Sequence, residues 1–181
     1  MICCNRLAAL KQPKKNVTLT FKRKELLYDI SNIAFVEGDI VPEGEEHGRH
    51  QIIDICQDGN VDRVTRVMDL VVAHCREMLY PFTKIEIEDE SEIDDTFEES
   101  EYYCIELSVP ADFSKTTFVY LERLIHNYIV YKVLADWLSI TNTKNPRSGV
   151  NWYEKATDLE SEIESALSAR MHRVRRTQTP F

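Results

Sequence analysis

The chain has 181 residues, of which 43% are hydrophobic and 29% charged, with a formal net charge of −9. That length suffices for one domain with a real core, and the composition is ordinary for a globular protein. The acid excess argues against broad nonspecific binding to DNA, and the sequence has no run of about 18 apolar residues to span a bilayer.

The acidity is local. Between Glu86 and Glu101 stand ten Asp or Glu and no Lys or Arg, and the rest of the chain holds 21 acids against 22 bases. The five cysteines are Cys3, Cys4, Cys56, Cys75 and Cys104. An odd number without a C-x-x-C spacing does not read as a disulfide framework and fits a reducing cytosol. Cys75 and Cys104 sit in apolar patterns and are expected as small buried hydrophobes. The start, Met1-Ile2-Cys3-Cys4, does not read as a signal peptide, because only Leu7 to Leu10 follows as an apolar run.

Residues 1–16 are expected to form a mobile basic arm, with Lys11, Lys14 and Lys15 around Pro13. Val17 to Phe21 alternates and is β-branched, which predicts a short strand. Lys24 to Phe35 places Leu26, Leu27, Ile30, Ile33 and Ala34 on one helical face. Glu37 to Arg49 reads as a loop broken by Gly38, Pro42, Gly44 and Gly48. Glu43, Glu45, Glu46, His47 and His50 in that loop lack a metal-ligand spacing, so the loop reads as solvated. Gln51 to Cys56 suits a short helix.

Asn60 is a candidate N-cap, and Val61, Val64, Met68, Val71, Cys75 and Met78 then recur at spacings of three and four. This predicts an amphipathic helix that ends before Pro81. His74 lies beside its apolar seam and reads as structural. Thr83 to Glu88 and Tyr103 to Val109 both alternate with a period of two, which predicts a small antiparallel hairpin over 83–109 with the acidic stretch as its tip. That stretch suits a solvated tip, a surface for a basic partner, or weak divalent-ion binding; like charges at this density repel one another.

Asp112 or Ser114 opens a helix running to about Ser139. Leu121, Leu124, Tyr128, Tyr131, Ala135 and Leu138 form one apolar stripe, and Ile125, Ile129, Val133 and Trp137 form a second. Two stripes imply neighbours on two sides, so this helix is expected at the bundle centre or in a subunit interface, with Tyr128, Tyr131 and Trp137 as interface residues. After a turn over Thr141 to Gly149, the last helix carries acids early and Arg170, Arg173, Arg175 and Arg176 late. That polarity suits the helix dipole, and the cluster exceeds what capping requires.

Together these elements predict a single, mainly α domain over 1–181: a bundle of three to four helices with a small antiparallel β-hairpin insertion. The sequence has no G-x-S-x-G, no G-x-x-x-x-G-K and no G-x-G-x-x-G. No catalytic, metal or cofactor residues are assigned, and the expectation is a protein that is not an enzyme. Arg170 to Arg176 could contact phosphates without reading bases, so a bacterial nucleic-acid-associated or regulatory binding protein is the alternative function.

Leu79-Tyr80-Pro81-Phe82-Thr83-Lys84, the run Tyr128 to Leu138, and the ending Arg173-Val174-Arg175-Arg176 with Phe181 resemble small head–tail connector proteins of tailed bacteriophages. The likeness is greatest to those from phages and prophages of gut Bacteroidetes, and it covers about residues 60–181. It implies a virion structural protein at the head–tail junction, made in the host cytoplasm. It also implies a homo-oligomeric ring, of twelve copies in that family, between the portal protein and a downstream tail or stopper protein. DNA would pass through such a ring without specific binding. The basic tail over 170–181, with Arg170, Arg173, Arg175, Arg176 and Phe181, would dock on portal or on a neighbouring subunit.

Overall fold

A computed structural model describes residues 14–42, 44–83, 100–111, 113–142 and 146–171. The fold is mainly α with one small antiparallel β element. In chain order it runs β1 (Lys14–Lys22), α1 (Arg23–Asp39), α2 (Glu46–Ile53), a 3-10 turn (Asp54–Cys56), α3 (Asp58–Thr83), β2 (Tyr102–Pro110), α4 (Lys115–Thr141) and α5 (Pro146–Met171).

The two strands pair antiparallel, with Leu19 opposite Ile105 and Phe21 opposite Tyr103. Alternation sends these side chains, with Leu107 and Val109, into the core and leaves Thr18, Thr20, Cys104 and Glu106 in solvent. Among the described residues β2 pairs with β1, some eighty residues earlier, and Thr83, the first residue of the expected hairpin, belongs to α3. The other expected strand, beyond Thr83, and the acidic tip up to Glu99 lie outside the described residues. The expected arm also shortens: Lys14, Lys15 and Asn16 begin β1, and residues 1–13 lie outside the described part.

Helix α1 runs past its expected end to Asp39, and α2 occupies much of the expected loop. Gly38 is not a breaker. It is buried inside α1, and a Cβ there would stand 2.6 Å from Ile53 Cγ1. The glycine thus lets α2 cross close over α1. The chain reverses at Gly44, whose φ of 102° lies in the left-handed region that favours glycine. Helix α3 begins at Asp58, two residues before the expected cap. Asn60 instead donates its side-chain amide to the Asp54 carbonyl at 2.8 Å, fastening the 3-10 turn to the helix. Helix α3 also continues through Pro81, where only the final turn loses a backbone donor. Ser114 occupies the cap position of α4, as the sequence suggests.

Helix α4 is the centre. Leu121, Ile125, Tyr128, Ile129, Leu134 and Leu138 are fully buried, and the helix packs against α5, α1, α3, α2 and β1. Both of its apolar stripes are therefore covered within one chain. Each such aliphatic side chain contributes about 1.5–3 kcal/mol by leaving water, so the covering of α4 dominates the core. The α4–α5 turn is tight: a Cβ on Gly149 would meet the Ser139 amide at 3.1 Å and the Ala135 carbonyl at 3.3 Å. Among the described residues no helix is long and apolar enough to cross a membrane.

Candidate interaction surfaces

The three aromatic residues expected at a subunit interface are placed in the core of the single chain. Tyr128 is 0% exposed, and Trp137 is buried with its indole N–H donating to the Ile52 carbonyl at 3.2 Å. Tyr131 is half-buried with its ring 5.0 Å from that of Trp152. The reason is coverage: of the two expectations for this helix, bundle centre or subunit interface, α1, α2 and α5 packing on both stripes gives the bundle centre. Of the basic cluster, Arg170 falls in the last turn of α5. Arg173, Arg175, Arg176 and Phe181 lie outside the described residues.

A half-polar cluster fills the seam between α3, α4 and α5. The His74 ring stacks on Tyr128, and its Nε2 lies 3.4 Å from Glu160 Oε1. Tyr128 donates its hydroxyl to Glu160 Oε2 at 3.4 Å, and the Lys132 ammonium sits 5.5 Å from the Tyr128 ring centre. Burial, helped by the Glu160 charge, pushes the Tyr128 phenol well above its usual value. The same two causes push the neighbouring Cys75 thiol up to about 12. Both groups thus stay neutral, and the seam behaves as structure rather than as an acid–base site. Cys104, expected inside, is exposed, because strand alternation puts it on the solvent face opposite Thr20. Burial likewise raises the Cys56 thiol.

Glu37, near the end of α1, accepts from Ser148 Oγ at 2.7 Å and from the Trp152 indole at 3.0 Å. This carboxylate fixes the start of α5 against α1. Nothing in the hydrophobic pattern announced it, since a glutamate next to a glycine reads as surface.

Two open clefts lie among the described residues. One, of about 350 Å³, is lined by Glu45, Glu46, His47, Gln51 and Asn142 among others. His47 there lies 3.3 Å from Gln51, and among the described residues no group of three His, Cys, Asp or Glu is placed to hold a metal ion. The other, of about 450 Å³, lies between α1 and α4 and is lined by Lys24, Glu25, Tyr28, Asp29, Arg123 and His126. His126 and Asp29 bridge it at 2.7 Å.

Among the described residues, Tyr28, Phe35 and Val36 on the outward side of α1 and Ile40 at its C-cap are 67%, 54%, 58% and 71% exposed. The acids beside them are each tied to a basic group of the same chain: Glu25 to Lys22 at 2.8 Å, Asp29 to His126, and Asp39 to Arg49. Exposed apolar side chains among paired acids are the composition of a surface suited to burial. Sequence periodicity pointed at the inner face of this helix, and the outer apolar residues were legible only as a departure from a clean amphipathic pattern. In comparisons with protein-family models, curated proteins and solved structures, nothing matches the chain.

Proposed function

We propose that this chain is a non-enzymatic structural subunit that assembles with copies of itself into a ring at the head–tail junction of a tailed phage. One observation carries the reading: three large apolar side chains of α1, with Ile40 at its C-cap, stand exposed beside acids that are paired within the chain. By ordinary side-chain areas they amount to several hundred Å² of apolar surface, the size of patch that marks interaction sites on monomers. The resemblance of residues 60–181 to head–tail connectors supports the placement at the portal, with Arg170 to Arg176 and Phe181 as the docking segment. In this reading DNA passes through the ring without specific binding, in keeping with the net charge of −9.

Mass photometry and negative-stain imaging of the purified chain, with and without the portal protein of the same genome, test it. The expected result is a closed oligomer of uniform copy number, either free or seated on portal. A strict monomer that never joins portal overturns it. Should the monomer instead bind duplex DNA at low salt, and lose that binding when Arg170, Arg173, Arg175 and Arg176 become Ala, the nucleic-acid reading takes its place.

A further inference from the structure

We infer that the outer face of α3 is a two-fold contact, on which a second copy of this chain docks antiparallel. Arg63, Arg66, Leu70, Ala73, Glu77 and Tyr80 follow one another at spacings of three, four, three, four and three, which places them in one stripe along the helix. All six are exposed, and Leu70 is 71% exposed. At about 100° per residue the stripe lies opposite Val64, Met68 and Cys75, the side by which α3 enters the core.

The order of residues along the stripe names the occupant. Its cations, Arg63 and Arg66, stand in the first half, Leu70 and the small Ala73 at the middle, and Glu77 and Tyr80 in the second half. Let a second copy run antiparallel, with the two-fold axis at the midpoint between Val71 and Val72. Residues equally far from the midpoint then stand level. Leu70 meets Ala73 of the other copy, Arg66 meets its Glu77, and Arg63 meets its Tyr80 ring, and the axis repeats each pair. Every pair is complementary: a large apolar side chain beside a small one, a cation beside a carboxylate, and a guanidinium beside an aromatic ring. A parallel copy would set Arg66 on Arg66 and Glu77 on Glu77, so charge selects the antiparallel pair.

The contacts already made within the chain leave room for this. Glu77 has no partner among the described residues. Arg63 is 3.1 Å from Asp136, with half of its side chain still exposed, and an ion pair so open to water holds it only weakly. Arg66 and Tyr80 have interactions within the chain and remain exposed. From Arg63 to Tyr80 the stripe is about 26 Å long, so the pair belongs to the small, weak and reversible class of interfaces. The contact is isologous: it closes at two copies and builds no ring. It therefore neither rests on the ring reading nor falls with it.

Charge exchange on the full chain tests the contact, read by sedimentation equilibrium from about 5 to 500 μM. Circular dichroism with thermal melts verifies the fold of each variant. The parent is expected to show concentration-dependent association through this contact. Arg66→Glu and Glu77→Arg each set like charges against each other twice, and each is expected to need about tenfold or more higher concentration to pair. The variant carrying both exchanges, and the equimolar mixture of the two single variants, are expected to pair like the parent. Arg66 and Glu77 stand about 16 Å apart on one helix, so rescue of one by the other can come only from a contact between copies. Leu70→Glu, which puts a carboxylate at the middle of the stripe, is expected to abolish pairing in the same range. A parent without association up to about 500 μM overturns the contact. Single variants that associate as well as the parent overturn it too, and so does a double variant that fails to recover.

Discussion

At the residue scale, the buried polar groups have definite and testable roles. Cys75 is packed where its thiolate has no solvation, so its pKa rises from the usual thiol value near 9 to about 12. A raised folded-state pKa stabilises the fold at pH below the unfolded value, and that stabilisation is lost as pH climbs from about 9 toward 12. The melting temperature of the parent should therefore fall more steeply between pH 9 and 11 than that of Cys75→Ala, once both are referred to pH 8. In the native chain Cys104, exposed on β2, should react with a thiol reagent at once, while Cys75 reacts only on unfolding. Glu37 is a second case. In Glu37→Ala the Trp152 indole and the Ser148 hydroxyl lose their acceptor in a part-buried place. A destabilisation of about 1–3 kcal/mol is expected in urea titration, and Glu37→Gln, which keeps one carbonyl acceptor, should recover part of it.

At the element scale, the small sheet joins two segments some eighty residues apart into one core. Strand β1 contributes Leu19 and Phe21 to the buried face, and β2 contributes Tyr103, Ile105, Leu107 and Val109. With only two strands among the described residues, the sheet depends on the helices beneath it, since an isolated strand pair is marginal in water. Phe21→Ala should cost about 3–5 kcal/mol in chemical denaturation, whereas Thr20→Ala on the solvent face should change stability by less than about 0.5 kcal/mol. The two buried helix glycines, Gly38 and Gly149, act differently from turn glycines. Gly149→Ala forces a methyl group to within 3.1 Å of the Ser139 amide, so the α4–α5 hairpin must open; a loss of about 1–3 kcal/mol is expected, read as a lower melting temperature.

At the scale of the whole molecule, the core is continuous. It joins side chains of both strands and all five helices into one cluster around α4. A single cooperative transition, the same by far-ultraviolet circular dichroism and by tryptophan fluorescence, should therefore report its unfolding. Trp137 and Trp152 are both buried, so fluorescence reads the α2–α4 and α1–α5 contacts directly. Two separated transitions would show that α5 folds as a unit apart.

The sequence by itself determined the mainly α class, the helical cores of α1, α3, α4 and α5, and the strand character of 17–21 and 103–109. The reason is that periodicities of 3.6 and 2 are local and write one face directly into residue type. It also determined that α4 needs partners on two sides. Who those partners are was decided only by tertiary structure. Strand pairing between segments some eighty residues apart leaves no mark in either segment, so the pairing of β2 with β1 could not be read from either one. Gly38 reads as a breaker until α2 is seen crossing it. Tyr128, Tyr131 and Trp137 read as surplus apolar surface until α1, α2 and α5 close over them, while other apolar side chains stay exposed, among them Tyr28, Phe35 and Val36 on α1. Burial is a property of the neighbours a side chain meets, and the residue pattern specifies only that some neighbour is required.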